Sequence, residues 1–482
     1  MRRSEQPKSI DASDLPLCLS MDEPTPGYLQ LAGQLQALID SNTLLSGTRL
    51  PASRRLARAL GVNRNTVVAA FERLSSLGLV ETRGRAGTVV SELAGPKAVT
   101  ALKRGKLPQL VGARSIRQPS IDFRLGLADQ TPLPLEVWRR ACREAGRQLP
   151  SADYGDPTGD FELRAQIALY LGRTRAMRVH PDQVAVTAGA RRAIERIAEL
   201  SLRAGDCVAV EEPGYPGAAE AFRRRGARLV PIPVDEEGLR TDRLTTEKRA
   251  IRLIHVTPSH QYPLGARLSA ARRHALIRWC REHRALVIEN DYDGEFRYGT
   301  APLPALGSIA GFDQIAYVGT FSKVLSPAIR LGFVVAHADL IGAMAALIAQ
   351  ERDSVSIVTQ RIVAWLIESG ELERHVRRAR KSYSTRRAAM LQALSQIPQI
   401  ASISGQAAGL HVVIKLRREI PNKDLLPRLE TQGIAVDRVA DFESRHRTDD
   451  RLLMAYGHLT EADIVEGVRR FAAVIRAADS RS

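Results

Sequence analysis

Cysteine is scarce in this chain. The 482 residues hold four, Cys18, Cys142, Cys207 and Cys280, scattered and without a C-x-x-C pair. That pattern argues against a disulfide framework and a cysteine-held zinc, so no metal is expected, and it fits a reducing, cytoplasmic compartment. Long apolar runs are missing too. No stretch approaches the roughly 20 residues of a membrane span, so no membrane partner is expected. The opening MRRSEQPKSIDASD has no apolar run behind its basic pair, which argues against a secretory signal. No repeat of solenoid period is present. Acids are outnumbered, 53 Asp and Glu against 70 Lys and Arg, for a formal charge of +17. Such a surface suits a polyanion such as DNA, or an anionic cofactor. Otherwise the composition is that of globular proteins, 44% hydrophobic and 26% charged, and the length predicts two domains.

Three zones follow along the chain. Residues 24–92 read as a compact helical unit ending in two short strands. Residues 93–120 lack a sustained hydrophobic period. From 91 to 120 the chain carries six Lys or Arg against one acid, Glu92, which predicts a flexible basic linker. From 121 to 478, strands alternate with helices. QVAVTAG, DCVAVEEPGY, RLIHVTPSH, RALVIENDYD, QIAYVGTFSK and RLGFVVAH supply short apolar runs. Runs of that length between helices predict a mostly parallel sheet covered on both faces. The fold class is thus multidomain, with a mostly helical N-terminal unit and a C-terminal α/β domain.

In the first zone a helix from Tyr28 to Ile39 puts Leu31, Leu35, Leu38 and Ile39 on one stripe. GTRLPASRRLARALGVNRNTVVAAFERLSSLGLVETRGRAGTVV then predicts a helix Arg54–Leu60, capped by Ser53 and ended by Gly61. Asn63 caps the next helix, with Val67, Phe71 and Leu74 facing inward. This is a helix-turn-helix, and Leu79–Thr82 with Thr88–Val90 adds a wing whose tip carries Arg83 and Arg85. Arg64, Asn65 and Thr66 lie in the turn that enters a major groove, where Arg suits guanine and Asn suits adenine. Residues 49–90 hold eight Arg against two acids, a footprint that seeks phosphates. LPASRRLA, GVNRNTV, FERLSSLGLVE and the Gly87-Thr88 pair resemble the GntR family of winged helices. The resemblance implies binding of double-stranded DNA through Arg54, Asn63, Arg64, Asn65, Thr66 and Gly87.

The strongest signal of the third zone is VGTFSKVLSPAIRLGF at 318–333. Lys323 follows a strand bearing Thr320 and Ser322, and Arg330 lies seven residues on. A buried lysine with a lowered pKa can hold an aldehyde as a Schiff base. The hydroxyls and Arg330 suit a phosphate. TAGARRAI opens a helix whose free N–H groups favour an anion, at Gly189, Ala190 and Arg191. The motif resembles that of fold-type I pyridoxal-phosphate enzymes, the aminotransferase superfamily. Combined with the GntR segment, the architecture resembles the MocR family of regulators, GabR- and PdxR-like, over nearly the whole chain.

The resemblance implies pyridoxal 5'-phosphate as cofactor, Tyr215 stacked on its ring, Tyr292 on its phenolic oxygen and Tyr154 reaching the phosphate of a partner subunit in a homodimer. Two departures stand out. Where relatives read E-D-D-Y-D-x-E-F, with an aspartate under the pyridine nitrogen, this chain has Glu289-Asn290-Asp291-Tyr292-Asp293-Gly294-Glu295-Phe296. Asn290 or Asp291 takes that position, and because strand side chains alternate, not both. The N-P-x-G of aminotransferases is PSHQYPLG here, with Tyr262 replacing the asparagine, a pattern typical of the MocR family. His260 and Gln261 are candidates for ligand contact or for loop packing. On the position of the carboxylate-gripping arginine stands Leu453, with Arg445, Arg447 and Arg451 nearby. The expectation is a regulator sensing pyridoxal phosphate or a small-molecule amine through Lys323, and paired DNA half-sites. The alternatives are an aminotransferase carrying a DNA module and a cofactor-free relic.

Overall fold

The computed structural model describes residues 10–20, 25–83, 87–91, 119–127, 129, 131–298, 304–405, 408–418, 420, 422–445 and 449–479. The chain forms two units, residues 1–115 and 116–482. The expected linker, 93–120, falls almost wholly outside the described residues.

In the first unit, helix α1 (Gly27–Asp40) buries Leu31, Leu35 and Ile39 on one stripe. Helix α2 (Ser53–Leu60) ends at Gly61, whose φ of 65° is the left-handed conformation that glycine adopts without strain. Ser53 does not cap α2 as expected. The extended residue is Ala52, whose carbonyl accepts the Arg55 and Leu56 N–H groups, so Ser53 is already helical and its Oγ instead receives Arg64 Nε at 3.5 Å. Helix α3 (Arg64–Ser76) is capped by Asn63, whose side chain accepts the Asn65 N–H at 2.9 Å. Strands β1 (Val80–Thr82) and β2 (Thr88–Val90) pair antiparallel, Glu81 opposite Val89, and Arg49 adds a bridge to Val89. Leu35, Leu56, Val67, Phe71, Leu74 and Val80 share one core.

Residues 10–20 join that core, although the sequence suggested a unit beginning at 24. Ala12 and Leu15 are buried, and Leu17 and Leu19 pack beside them. Two side-chain amides of α1 pair with this segment as a neighbouring strand would. Gln30 accepts Ser20 N–H at 3.0 Å and donates to Ser20 O at 2.9 Å, and Gln34 does the same at Cys18.

The second unit opens with β3 (Ile121–Asp122), α4 (Leu135–Ala145) and α5 (Phe161–Arg175). There follow β4 (Val184–Thr187), α6 (Ala190–Ser201), β5 (Cys207–Glu212), α7 (Pro216–Arg224), β6 (Arg228–Asp235), β7 (Gly238–Leu239) and α8 (Thr241–Thr245). Next come β8 (Ile251–Val256), α9 (Ala270–His283), β9 (Leu286–Asp291), α10 (Leu306–Ala310), β10 (Ile315–Thr320) and β11 (Gly332–Val335). The eight strands β4 to β11 make one sheet in the order β4-β11-β10-β9-β8-β5-β6-β7. The five central strands from β10 to β6 are parallel, and β11 runs against both of its neighbours. The six strands expected from apolar runs are all present. Strand β6 was not read as one because Pro231 and Pro233 interrupt its signal.

Ile194, Ile197, Phe222 and Met344 pack on one face of the sheet, against Val208, Ile288 and Val318. The other face meets Leu276 and Trp279 in one cluster, and Leu163, Ile167 and Val363 in another. Burying each such side chain stabilises by about 1.5–3 kcal/mol, and two-sided burial is why these strands read as unbroken apolar runs. Helices α11 (Ala338–Glu351), α12 (Ile357–Glu368) and α13 (Glu371–Ser395) lead to a second sheet built of Ile400–Ser404, His411–Leu416, Leu452–Ala455 and Asp437–Arg438. No helix among the described residues is long and apolar enough to cross a membrane.

Candidate cofactor site and nucleic-acid interface

Parallel strands end together, so their following loops converge on one edge of the sheet. Gly319 lies opposite Asp291 in the β9–β10 ladder, which brings Thr320, Ser322 and Lys323 out beside Tyr292. These residues line a cavity of about 300 Å³ together with Gly189, Ala190, Arg191, Tyr215, Asn290 and Arg330. Of the residues expected there, only Asp291 and Tyr154 are elsewhere.

Gly189 takes φ 89° at the start of α6, leaving that helix without a side-chain cap and its first N–H groups free toward the cavity. Gly332 of β11 allows this approach, since a Cβ there would stand 2.9 Å from Gly189 backbone atoms. The Arg330 guanidinium is exposed at the cavity rim and makes no ion pair among the described residues. Thr320 Oγ1 donates to Ser322 Oγ at 3.0 Å and accepts the Ser322 N–H at 3.2 Å. Lys323 Nζ donates to the Gly126 carbonyl at 2.7 Å. Burial lowers the Lys323 pKa, against the opposing pull of Asp293, so more of the amine is neutral and nucleophilic than on an exposed lysine. Nothing in the sequence around Gly126 signalled this contact.

Tyr215 and Tyr262 meet edge to face, their centroids 5.7 Å apart, and both line the cavity. Tyr292 OH lies 2.9 Å from His260 Nδ1, which is 2.7 Å from Asp293 Oδ2. His260 is therefore held by a buried carboxylate, and Gln261 braces the loop by donating to the Pro213 and Tyr262 carbonyls at 2.9 and 2.7 Å. Below lies Glu211, fully buried, accepting from the Thr257 hydroxyl and pushed up to about 7 by burial.

The two residues competing for the ring nitrogen are now separated. Asn290 lines the cavity, its Nδ2 3.4 Å from His255 Nε2 and its buried Oδ1 without a partner among the described residues. Asp291 does not. The alternation of β9 turns it to the opposite face, where Arg175 Nε donates to Oδ2 at 2.7 Å and Tyr317 OH at 2.8 Å. Of the two, the neutral amide of Asn290 is the side chain that β9 presents to the cavity. Tyr154 is 64% exposed, its ring 4.9 Å from the Arg352 guanidinium, outside the cavity of its own chain. Leu453 is fully buried against Val413 and Val439. Arg451 is held by Asp449 at 3.0 Å, and Arg447 lies outside the described residues.

In the first unit Arg54 is exposed on the first turn of α2, and Asn63, Arg64 and Asn65 are exposed at the cap and first turn of α3, with Thr66 half-buried beside them. Gly87, with φ 81°, leaves the wing tip beside the Arg49 guanidinium. Arg83 pairs with Glu81 at 3.2 Å, and Arg85 lies outside the described residues. Unopposed guanidinium and amide groups on a helix N-terminus are what groove recognition requires.

Residues 27–90 match the family of bacterial regulatory proteins of the gntR type, and residues 124–471 match aminotransferase class I and II. The pyridoxine biosynthesis regulator PdxR of Corynebacterium glutamicum is 33% identical over 92% of this chain and 95% of its own length. The probable rhizopine catabolism regulator MocR of Rhizobium meliloti is 30% identical over 96% and 97%. The chain belongs to the MocR family. The larger unit of this MocR-type regulator also superimposes on solved enzymes. The α-aminoadipate aminotransferase LysN of Thermus thermophilus, complexed with N-(5'-phosphopyridoxyl)-L-leucine, matches with a TM-score of 0.69 and 28% identity, over 75% of this chain and 93% of its own. The kynurenine aminotransferase of Pyrococcus horikoshii matches with a TM-score of 0.69 and 26% identity, over 75% and 92%.

Proposed function

We propose that this MocR-type regulator senses pyridoxal phosphate, or an amine reacting with it, at Lys323, and transmits the change to its DNA reader. The observation that carries this reading is Asn290, a neutral amide with an unpartnered oxygen, in an otherwise complete cofactor cavity. The residues fit the group. Arg330, Thr320, Ser322 and the open N–H groups at Gly189–Arg191 would hold its phosphate, Tyr215 would cover the ring, and Tyr292 would meet its phenolic oxygen. When bound, pyridoxal phosphate supplies an aldehyde that condenses with primary amines and a ring that can take up electrons.

Asn290 bears on the second of those properties. A carboxylate opposite the ring nitrogen would keep it protonated, and an amide brings no such charge. His255, held down at about 4 by burial, supplies none either. The site thus keeps the lysine and the phosphate grip needed for capture and lacks the charge that favours turnover. Capture switches DNA binding only if the captured form has different affinities for two arrangements of the protein.

A homodimer with two readers on paired half-sites would gain avidity. Exposed Leu149, Tyr154 and Phe161 support a covered face on the larger unit. We place the reader, including the segment 10–20 that joins its core, within 10–92, the linker at 93–120 and the cofactor domain at 121–478, with a cytoplasmic location. Footprinting of an operator without cofactor, with pyridoxal phosphate, and with pyridoxal phosphate plus candidate amines tests the reading. A pattern that changes between these states is expected, and identical patterns in all of them overturn it. The second reading, a working aminotransferase, draws on the intact Lys323 cavity. Robust multiple turnover of an amino acid with a keto-acid acceptor would favour it.

A further inference from the structure

Behind β9, on the side that Asp291 faces, lies a second cavity of about 380 Å³ between α5, α13 and the turn at Gly294–Arg297. Its lining is strongly basic. Arg175 spends its charge on Asp291 and Glu295, at 2.7 and 3.0 Å, and Arg173 pairs with Glu373 at 2.6 Å. Arg377 and Arg380 lie exposed at the mouth without an ion pair among the described residues, Arg380 donating only its Nε, to the Glu295 carbonyl. Arg297, also in the lining, uses Nε on the Gly294 carbonyl at 3.1 Å, while both terminal nitrogens are buried with no partner among the described residues. A guanidinium with two buried, unsatisfied nitrogens is costly unless an acceptor reaches it. Burial also lowers the Arg297 pKa, as desolvation without a full counter-charge must. Among the described residues two acceptors behind β9 are buried and unpartnered as well, Glu373 Oε2 and Asp291 Oδ1.

We propose that this cavity binds a small phosphate monoester whose organic part carries a hydrogen-bond donor. The fork of Arg297, with Arg377 and Arg380 closing over it, suits the tetrahedral dianion, and the free Glu373 oxygen suits an ammonium or hydroxyl on its far side. The volume exceeds that of inorganic phosphate alone. The site is distinct from the cofactor cavity, because the two share no lining residue. Ligation there bears directly on the strand that carries Asn290 and Tyr292.

Full-length protein loaded with pyridoxal phosphate and reduced with borohydride, its loading read by absorbance, leaves the first phosphate subsite filled. Calorimetric titration with inorganic phosphate and with O-phosphoethanolamine, at ionic strength matched with KCl, then reads the second cavity. Saturable binding is expected, tighter for O-phosphoethanolamine, and weakened about tenfold by Arg297→Gln and by Arg377→Ala. Glu373→Gln should weaken O-phosphoethanolamine and leave phosphate unchanged. Arg377 is exposed, so its variant keeps the fold if Arg297→Gln does not. Absence of saturable binding to properly loaded protein, or binding unchanged in Arg377→Ala and Arg297→Gln, overturns the proposal.

Discussion

Arg175→Met offers a quantitative test of the buried charges behind β9. The Arg175 side chain is 4% exposed and that of Asp291 1%, with Nε and Oδ2 2.7 Å apart, and a second nitrogen reaches Glu295 at 3.0 Å. Methionine fills much of the volume and removes the charge, stranding two carboxylates away from water. Leaving one buried partner uncompensated costs about 3–5 kcal/mol. At about 2.1 cal/mol/K per residue of unfolding entropy, and a unit of about 370 residues, the main calorimetric transition falls by roughly 4–6 °C. The pH dependence has a definite sign. Burial would raise the Asp291 pKa, but Arg175 overrides it and holds the carboxyl below its ordinary 3.8. A carboxyl held low stabilises the fold above its unfolded pKa and loses that contribution as pH falls through the folded value. In the variant only Arg297 and the Tyr317 hydroxyl still oppose burial; burial, the largest influence on Asp291, then prevails and folding takes up a proton, so the deficit is largest near pH 8 and shrinks toward pH 5. Arg175→Met/Asp291→Asn should recover part of the loss. A shift under about 1 °C at pH 7.5, or a deficit of the same size at pH 5, would refute the ion-pair account.

Glu211→Gln tests the opposite sign. Its folded pKa of about 7 lies above the ordinary 4.5, so the acid's stabilising proton uptake is complete below pH 4.5 and lost as pH rises through 7. The variant should be more stable than the native protein at pH 8, by up to about 3 kcal/mol, with no gain at pH 4 in urea unfolding. Asn290→Asp, with pyridoxal phosphate bound, should raise the rate of the half-reaction with an amino acid at least about tenfold, read in single-turnover absorbance, since it restores the charge opposite the ring nitrogen. Arg64→Ala and Asn65→Ala should each cost about 1–3 kcal/mol in operator affinity by gel shift, with relaxed base preference.

Most of the larger unit was legible because two-sided burial forces its strands into short apolar runs between helices. The contents of the cofactor cavity were legible for a related reason: Thr320, Ser322, Lys323, Arg330 and the Gly189 turn are local in sequence, and local spacing carries their chemistry. Asn290 against Asp291 could not be decided, because adjacent residues differ only in which face they take, and packing sets that. The Gly126 carbonyl under Lys323 lies 197 residues away and left no trace in composition. The capping position of α2 was missed by one residue, since Ala52 and Ser53 differ in backbone angle and not in pattern. The alternation Leu15, Leu17, Leu19 was a readable signal that residues 10–20 belong to the reader, hidden by its brevity.

That short segment limits how the DNA-binding half can be exchanged among relatives. Gln30 and Gln34 each serve as donor and acceptor at once to Ser20 and Cys18, a double role that Glu, with no donor, cannot fill. A reader grafted onto another cofactor domain from residue 27 onward would carry two unmatched amides and a core stripped of Ala12 and Leu15. The transplantable cassette begins near residue 10, and its two glutamines must travel with the segment whose Cys18 and Ser20 they clasp.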